Sequence, residues 1–113
     1  MNKIEAIIRP ESLDRVKNAL ADAGFVGLNV VPVTGRGRQR GIAHVGRTGE
    51  RVSVDMLPKV KLEVVVSDAQ TQQVVDIILE NARTGAIGDG KLFVLPVSNA
   101  YRVRTGEQGE SVL

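Results

Sequence analysis

The alternation of apolar and polar residues predicts four strands and two helices. Apolar residues alternate with polar ones or run together where strands are expected, and recur every three or four positions where helices are expected. The predicted strands span residues 3–9, 28–34, 59–67 and 92–97, and the predicted helices span 11–23 and 68–82. Gly24 closes the first helix, Asp68 caps the second, and Pro32 predicts an edge position or a bulge for its strand.

The two halves of the chain echo each other. Residues 3–8 (KIEAII) resemble residues 61–66 (KLEVVV), and each segment is followed by a turn, a helix and another strand. Two such units in a single domain, residues 1–113, predict an α+β fold, the ferredoxin-like βαββαβ plait. Its helices cover one face of the antiparallel sheet. Glu5 and Glu63 lie among apolar residues on the other face, which suits a subunit interface or a ligand site.

Three segments depart from this pattern. Residues 35–55 carry five glycines and five arginines, and only 52–54 has brief strand character, so we expect a long exposed loop; an unrecognised hairpin is the alternative. Residues 100–104 alternate as a short strand that places two arginines on one face. Residues 106–113 are expected to form a loose polar tail.

Composition narrows the classes of function. Cysteine is absent, which excludes disulfides and thiolate metal sites, and the single His44 cannot form a zinc cluster on its own. A net charge of +2 does not indicate a general nucleic-acid binder, and the three aromatic residues are few for base stacking. No stretch approaches the ~20 apolar residues of a membrane span and no signal peptide is visible, so a soluble cytoplasmic protein is expected.

Residues 83–91 (RTGAIGDGK) carry the strongest chemical signal. Three glycines in six residues allow backbone N–H groups to turn towards one anion, and Lys91 adds a positive charge at the edge. We interpret the segment as a phosphate cradle. The alternative is a helix end with Gly85 as the capping glycine, followed by a tight turn.

Basic residues far apart in sequence can converge on this loop. They lie at both roots of the long loop and near the C-terminus: Arg36, Arg38, Arg40, Lys59, Lys91, Arg102 and Arg104. A nucleoside triphosphate needs several cations together with backbone N–H donors, and this chain supplies both. The alternative for each residue is a solvated surface charge.

Catalysis has weaker support. Asp89 is a candidate base or magnesium ligand, but a turn-forming role is the simpler interpretation. A P-loop requires Gly-Lys-Ser/Thr at the start of a helix, whereas Gly90-Lys91 precedes a strand, so a P-loop phosphotransferase is disfavoured.

Six segments, in order and over nearly the whole chain, resemble the PII nitrogen-regulatory signal proteins. They are 4–10 (IEAIIRP), 35–41 (GRGRQRG), 57–61 (LPKVK), 82–85 (ARTG), 87–94 (IGDGKLFV) and 102–107 (RVRTGE). The resemblance implies a homotrimer of ferredoxin-like subunits that binds ATP or ADP competitively in the clefts between subunits. It also implies 2-oxoglutarate beside a magnesium ion, and a long exposed T-loop, here residues 35–55, that regulates ammonium transporters and enzymes of nitrogen metabolism.

The resemblance also implies roles for individual residues. The phosphate-binding element would be Gly88, Asp89, Gly90 and Lys91, joined from the neighbouring subunit by Arg102 and Arg104. Gly37, Arg38 and Gln39 would lie at the base of the T-loop, and these three residues and Gly35 would also bind the nucleotide. Magnesium would be bound by Gln39, and 2-oxoglutarate by Gln39, Gly37 and Lys59. The adenine and ribose pocket would be lined by Ile7, Glu63, Val65 and Thr84.

The T-loop departs from the family pattern at its modification sites. Val52 occupies the position of the tyrosine that many relatives nucleotidylate, and Glu50 aligns with the serine that others phosphorylate. Neither modification is therefore expected, and Thr48 and Ser53 are nearby hydroxyls without a favoured role. The loop is one residue longer than the common form, so the alignment of Arg47 with a channel-plugging arginine stays open.

Two classes of function follow. The first is a regulatory binding protein, recruited to the inner face of the membrane when its partner is a transporter; a variant of it senses adenine nucleotides without 2-oxoglutarate. The second is a small trimeric nucleotide-dependent enzyme with Asp89 as base.

Overall fold

A computed structural model describes residues 1–36, 43–45, 51–53 and 56–113 of the chain. The strands are β1 (Asn2–Ile8), β2 (Asn29–Gly35), β3 (Ala43–Val45), β4 (Arg51–Ser53), β5 (Leu57–Val66) and β6 (Gly90–Pro96). The helices are α1 (Leu13–Asp22) and α2 (Asp68–Ala82), with 3-10 turns at Pro10–Ser12 and Glu110–Val112. The four main predicted strands and both predicted helices are therefore present; the bounds of α2 agree with the prediction, and the other bounds differ by one or two residues.

The main sheet has the strand order β2-β5-β1-β6, and all neighbouring strands are antiparallel. This order, with α1 and α2 as the two crossovers, is the predicted ferredoxin-like plait. β2 lies at an edge, which accommodates Pro32 because an edge strand does not need all of its N–H groups for pairing. The remaining two strands, β3 and β4, pair only with each other.

The core lies between the sheet and the two helices. Alternate residues of β1 and β5 point towards the helices, and the helical positions spaced three or four apart point back. The fully or almost fully buried apolar side chains include Ile4, Ala6, Ile8, Leu62, Val64, Val66, Val16, Leu20, Val74 and Ile78. Within the described residues, no helix packs against the other face of the sheet. This face is formed by the odd-numbered residues of β1, β5 and β6 and is called the open face below.

Helix ends follow the sequence with one correction. Gly24 has φ +94° directly after α1, as a closing glycine should. The residue that caps α2, however, is Ser67, and Asp68 is the first helical residue. The Asp68 carboxylate accepts hydrogen bonds from the Met1 ammonium group at 2.9 Å and from the Asn2 amide at 3.0 Å. A carboxylate in the first turn also interacts favourably with the helix dipole.

Three other expectations need correction. Residues 35–55 were expected to form a loop without regular structure. They contain a short antiparallel pair of strands, β3–β4, which was the alternative interpretation. Residues 100–104 do not form a strand; Tyr101 makes a single bridge to Gln108, and a turn lies between them. The segment 106–113 folds back on that turn and ends in a 3-10 turn. The alternation in 100–104 did not distinguish a strand from a turn, because five residues contain too few alternations.

Candidate functional site

The segment between α2 and β6, residues 83–89 with Gly90 and Lys91 at the start of β6, is called the glycine loop. Gly85, Gly88 and Gly90 have φ values of +90°, +106° and +103°, in the region that glycine adopts without steric cost. A Cβ atom on Gly90 would lie 1.8 Å from the Ile7 carbonyl oxygen. The residue after α2 is Arg83, with extended backbone angles, so Gly85 is not the residue that caps the helix. The glycines therefore shape the loop itself.

Asp89 closes the glycine loop from inside. Its carboxylate accepts hydrogen bonds from the backbone N–H groups of Thr84 at 2.8 Å and Gly85 at 2.9 Å, and from the Thr84 hydroxyl. Arg9 Nε donates to the same carboxylate at 3.1 Å. These donors, the Thr84 hydroxyl foremost, hold the pKa of Asp89 well below its usual value. Such a carboxylate is a weak base, which favours the turn-forming interpretation.

Two cations hold the glycine loop from outside. Arg9 Nη2 donates to the Ile87 carbonyl oxygen at 2.8 Å, and Lys59 Nζ donates to the Gly88 carbonyl oxygen at 2.6 Å. Partial burial, and next the charge of Arg9, lower the pKa of Lys59. The structure thus brings Lys59, a residue predicted to bind 2-oxoglutarate, into direct contact with the predicted phosphate element.

Arg9 is the site residue that sequence reasoning missed. It follows β1, whose last residue Ile8 pairs with Gly90 at the start of β6, so the sheet places it beside the loop. One sequence feature could have indicated this position: Arg9 continues the alternation of Lys3, Glu5 and Ile7 along the open face. Using that signal required knowing that β1 and β6 are neighbours.

The predicted adenine-pocket residues of β1 and β5 lie on the open face. Ile7 pairs with Lys61 on one side and with Lys91 on the other, and Glu63 pairs with Glu5. The two opposed glutamates are neutralised by lysines, with Lys3 Nζ 2.9 Å from Glu5 and Lys61 Nζ 3.1 Å from Glu63. The hydrogen bond from Lys61 is the main cause that lowers the pKa of Glu63. Val65, the remaining member, lies beyond Glu63 in the same row.

A cavity of about 200 Å³ lies on the opposite, helix-covered side of the sheet. Its lining includes Ile8, Ile78 and Leu92 from the core and Asp89, Gly90 and Lys91 from the glycine loop. Ile7, Glu63 and Val65 do not line this cavity. The cavity and the predicted adenine pocket therefore lie on different faces of the sheet and share the glycine loop as their common border.

Residues 100–109 form a self-contained turn, called the C-terminal turn. Backbone bonds join Arg102 to Glu107 at 2.8 Å and Gly109 to Ala100 at 2.9 Å. Arg102 Nη1 also lies 3.1 Å from the Glu107 carboxylate. Within the described part of the chain, no hydrogen bond or ion pair joins this turn to the glycine loop. One chain alone thus does not bring Arg102 and Arg104 to the predicted phosphate site.

Comparison with known proteins decides the family. The family model described as nitrogen regulatory protein P-II matches residues 1–107. Two relatives named nitrogen regulatory protein P-II, from Pasteurella multocida and Haemophilus influenzae, are each 50% identical over 113 residues, covering all of this chain and all of the relative. The chain belongs to the P-II family.

Part of the predicted P-II site lies outside the described residues. Gly37, Arg38, Gln39, Arg47, Thr48 and Glu50 fall there, so their predicted roles rest on the resemblance alone. Gly35 is the last residue of β2 and pairs with Leu57, which places one end of the T-loop beside the other. Val52 and Ser53 belong to the short strand β4.

The described ranges contain neither a metal-ligand cluster nor a membrane-spanning helix. No group of three or more metal-ligating side chains (His, Cys, Asp or Glu) is present in residues 1–36 and 56–113. Among the helices described, none is long and apolar enough to cross a membrane. The candidate site of this P-II chain is therefore the glycine loop together with the open face next to it.

Proposed function

We propose that this P-II protein binds ATP and ADP in competition, with the phosphates on the glycine loop. The observation that carries the proposal is a loop already held in shape by Asp89, Arg9 and Lys59, with the exposed Lys91 beside it. The Lys91 side chain has no ion pair or hydrogen bond with another described residue, so its charge is available to a ligand. Preformed donors and an available cation are what a polyphosphate requires.

The active unit is a homotrimer with a nucleotide in each cleft between subunits. Two features support a second copy of the chain. The open face carries Phe93 and Leu95, 46% and 40% exposed, beside its neutralised charges. Arg102 and Arg104 have no described hydrogen bond or ion pair with the glycine loop of their own chain, and a neighbouring subunit would bring its own pair to that loop. A ring of subunits joined by one repeated contact would cover the open face and would bring the arginines of one subunit to the glycine loop of the next.

Magnesium and 2-oxoglutarate bind next to the nucleotide in this proposal. Mg²⁺ typically takes few protein ligands and completes its shell with phosphates and water, so the Gln39 amide oxygen suffices beside a triphosphate. Lys59, a cation already at the edge of the glycine loop, pairs with the carboxylate of 2-oxoglutarate. Magnesium bound there would supply positive charge that offsets the negative charges of the phosphates and the oxo acid.

The output is the conformation of the T-loop. Gly35 and Leu57, paired at its base, connect the loop to the same sheet that carries Lys59. A ligand shifts the loop between conformations by its difference in affinity for them. The partners are proteins of nitrogen metabolism, such as an ammonium transporter, which would recruit this cytoplasmic regulator to the inner face of the membrane. With Val52 at the tyrosine position, ligand binding rather than tyrosine modification controls the output.

An enzymatic role with Asp89 as base is disfavoured by the state of that carboxylate. Its hydrogen bonds stabilise the ionised form and lower its pKa, whereas a general base is effective when its pKa lies near the working pH. Regulation by binding alone needs no such base.

Calorimetry on the full chain tests the proposal. ATP and ADP should each bind and displace the other, and 2-oxoglutarate should bind only when ATP and magnesium are present. Gln39→Ala should lose 2-oxoglutarate and keep most of its ATP affinity. Light scattering should give the mass of three chains. Absence of nucleotide binding, or a monomer, contradicts the proposal; nucleotide binding without any 2-oxoglutarate binding identifies the simpler adenine-nucleotide sensor.

A partner is identified by pulldown from native lysate with ATP or ADP present. A protein of nitrogen metabolism that is retained with one nucleotide and released with the other is the expected result. Identical capture under both conditions contradicts control of the T-loop by nucleotide.

A further inference from the structure

Two consecutive carbonyl groups of the glycine loop are bound by cations from two different strands. Arg9, directly after β1, donates to the Ile87 oxygen at 2.8 Å, and Lys59, on β5, donates to the Gly88 oxygen at 2.6 Å. Arg9 is additionally paired with Asp89 at 3.1 Å, and its side chain is 18% exposed. Both cations therefore contact the loop itself, and the charge of Arg9 is already balanced by a carboxylate.

These contacts determine the direction in which the neighbouring N–H groups point. The peptide bonds of this loop are trans, so the N–H of each following residue points opposite to the carbonyl before it. The N–H of Gly88 is thus directed away from Arg9, and the N–H of Asp89 is directed away from Lys59. Neither N–H donates a hydrogen bond to another described residue, whereas those of Thr84, Gly85 and Ala86 do.

We propose that Arg9 is a positioning residue for phosphate binding: together with Lys59 it fixes two neighbouring peptide groups so that the N–H groups of Gly88 and Asp89 face the anion. The inference rests on the proposed nucleotide site. It gives Arg9 a role that does not require contact between Arg9 and the phosphate. Arg9 acts through the backbone of the loop, and Lys59 holds the loop in addition to its proposed contact with 2-oxoglutarate. Donors fixed before binding do not have to be ordered when the ligand arrives.

The test compares Arg9→Met with Arg15→Met by calorimetry with ATP and no 2-oxoglutarate. Arg15 is a matched control, because it also donates to a backbone carbonyl, that of Asn81, and carries the same charge. Arg9→Met should weaken ATP binding about 10-fold, which corresponds to the loss of one or two well-placed hydrogen bonds, and Arg15→Met less than about 2-fold. Arg9→Lys should restore the affinity only partly, since one ammonium group does not reproduce the two-sided contact with Asp89 and Ile87.

A spectroscopic readout separates positioning from general stability. In the wild-type protein, ATP should move the NMR signals of the Gly88 and Asp89 amide protons downfield, as expected for N–H groups that bind phosphate. In Arg9→Met at saturating ATP, these shifts should be at most half as large, while the melting temperature without ligand stays close to that of Arg15→Met. If Arg9→Met does not fold, Lys59→Met measured without 2-oxoglutarate replaces it, with the same expected loss and the same NMR signature.

The possible failures are distinguishable. If the wild-type protein binds neither ATP nor ADP, the nucleotide site is wrong and the inference falls with it. If the wild type binds ATP but its Gly88 and Asp89 amide signals do not move, or Arg9→Met binds as tightly as Arg15→Met, nucleotide binding stands and the positioning role of Arg9 is wrong.

Discussion

The glycine loop and the C-terminal turn both carry predicted phosphate-binding residues, but they are held in different ways. The glycine loop is tied to the sheet by Arg9 and Lys59 and closed internally by Asp89. Every hydrogen bond and ion pair that the described structure gives residues 100–113 lies within the segment 99–113. At the tip of this turn Val103 is fully exposed.

This difference suggests which residues would depend on a second subunit in the proposed trimer. The glycine loop is preorganised by its own chain, so a ligand encounters donors that are already in place. The C-terminal turn has hydrogen bonds of its own but no described hydrogen bond or ion pair to residues before Asn99, so the polar contacts do not define where its arginines lie relative to the glycine loop. In the proposed trimer, the neighbouring subunit and the nucleotide would define that position.

The largest expected effect is on the free energy of unfolding, when an alanine replaces a glycine in each of the two regions. Gly90→Ala places a Cβ against the Ile7 carbonyl at a positive φ and should lower the free energy of unfolding by about 3 kcal/mol or more. Gly106→Ala in the C-terminal turn has φ +73° but nothing within 4 Å, so only the backbone cost of about 1 kcal/mol is expected. Urea denaturation at one fixed protein concentration measures both. Equal losses would contradict the comparison.

The second effect concerns phosphate binding by each region. Lys91→Met should weaken ATP binding about 10- to 100-fold, as expected for one hydrogen bond to a charged group. Arg104→Met should weaken it less, because the turn that carries Arg104 must be ordered when the ligand binds. Calorimetry gives both affinities, with Lys17→Met on the exposed face of α1 as a charge control. A greater loss from Arg104→Met would reverse the order of importance.

The third effect is a pH dependence that belongs to the glycine loop. The lowered pKa of Asp89 adds stability that is complete above the unfolded-state pKa of about 4 and is lost as the pH falls towards the lower folded-state value. The melting temperature of the wild type should therefore fall more steeply between about pH 5 and pH 3 than that of Asp89→Asn. Asp76→Asn, on the exposed side of α2, should keep the wild-type slope. Parallel curves for wild type and Asp89→Asn would show that the loop hydrogen bonds contribute little.

The smallest effect comes from the ion pair of the C-terminal turn. Glu107→Gln frees Arg102 from a partly exposed pair, which is worth about 0–1 kcal/mol. ATP affinity should rise by no more than about 5-fold, since the arginine no longer has to leave its partner. Calorimetry against the wild type decides the point; weaker binding would show that Glu107 holds Arg102 in its binding position.

Much of the fold could be predicted from the sequence because the relevant signals are local and repeated. The alternation in β1 and β5 and the helical spacing of Val74, Ile78 and Ala82 identify the core-facing residues directly. The segment 100–104 was wrongly predicted as a strand, because hydrogen bonds between Arg102, Gly106 and Glu107 fold it into a turn. Pairing within the long loop was recognised only as an alternative, since three-residue strands carry little pattern.

For the candidate site, the sequence predicts which residues take part but not how they contact one another in the fold. The glycine loop, Lys59 and Lys91 stand out by composition. The contacts of Arg9 with Asp89 and Ile87 span about 80 positions and depend on β1 lying between β5 and β6. The spacing of residues along the sequence does not show which strands are neighbours, so these contacts become visible only in the folded sheet.

The side chains of the seven residues of β1 alternate between the two faces of the sheet. Even-numbered side chains from Ile4 to Ile8 enter the core, while odd-numbered ones from Lys3 to Ile7 lie on the open face. A slip of one residue against β5 would bury the charges and expose the core at once. It would also move Arg9 off the loop. A chain with this shifted register would therefore lose its core packing and the proposed ligand site at the same time.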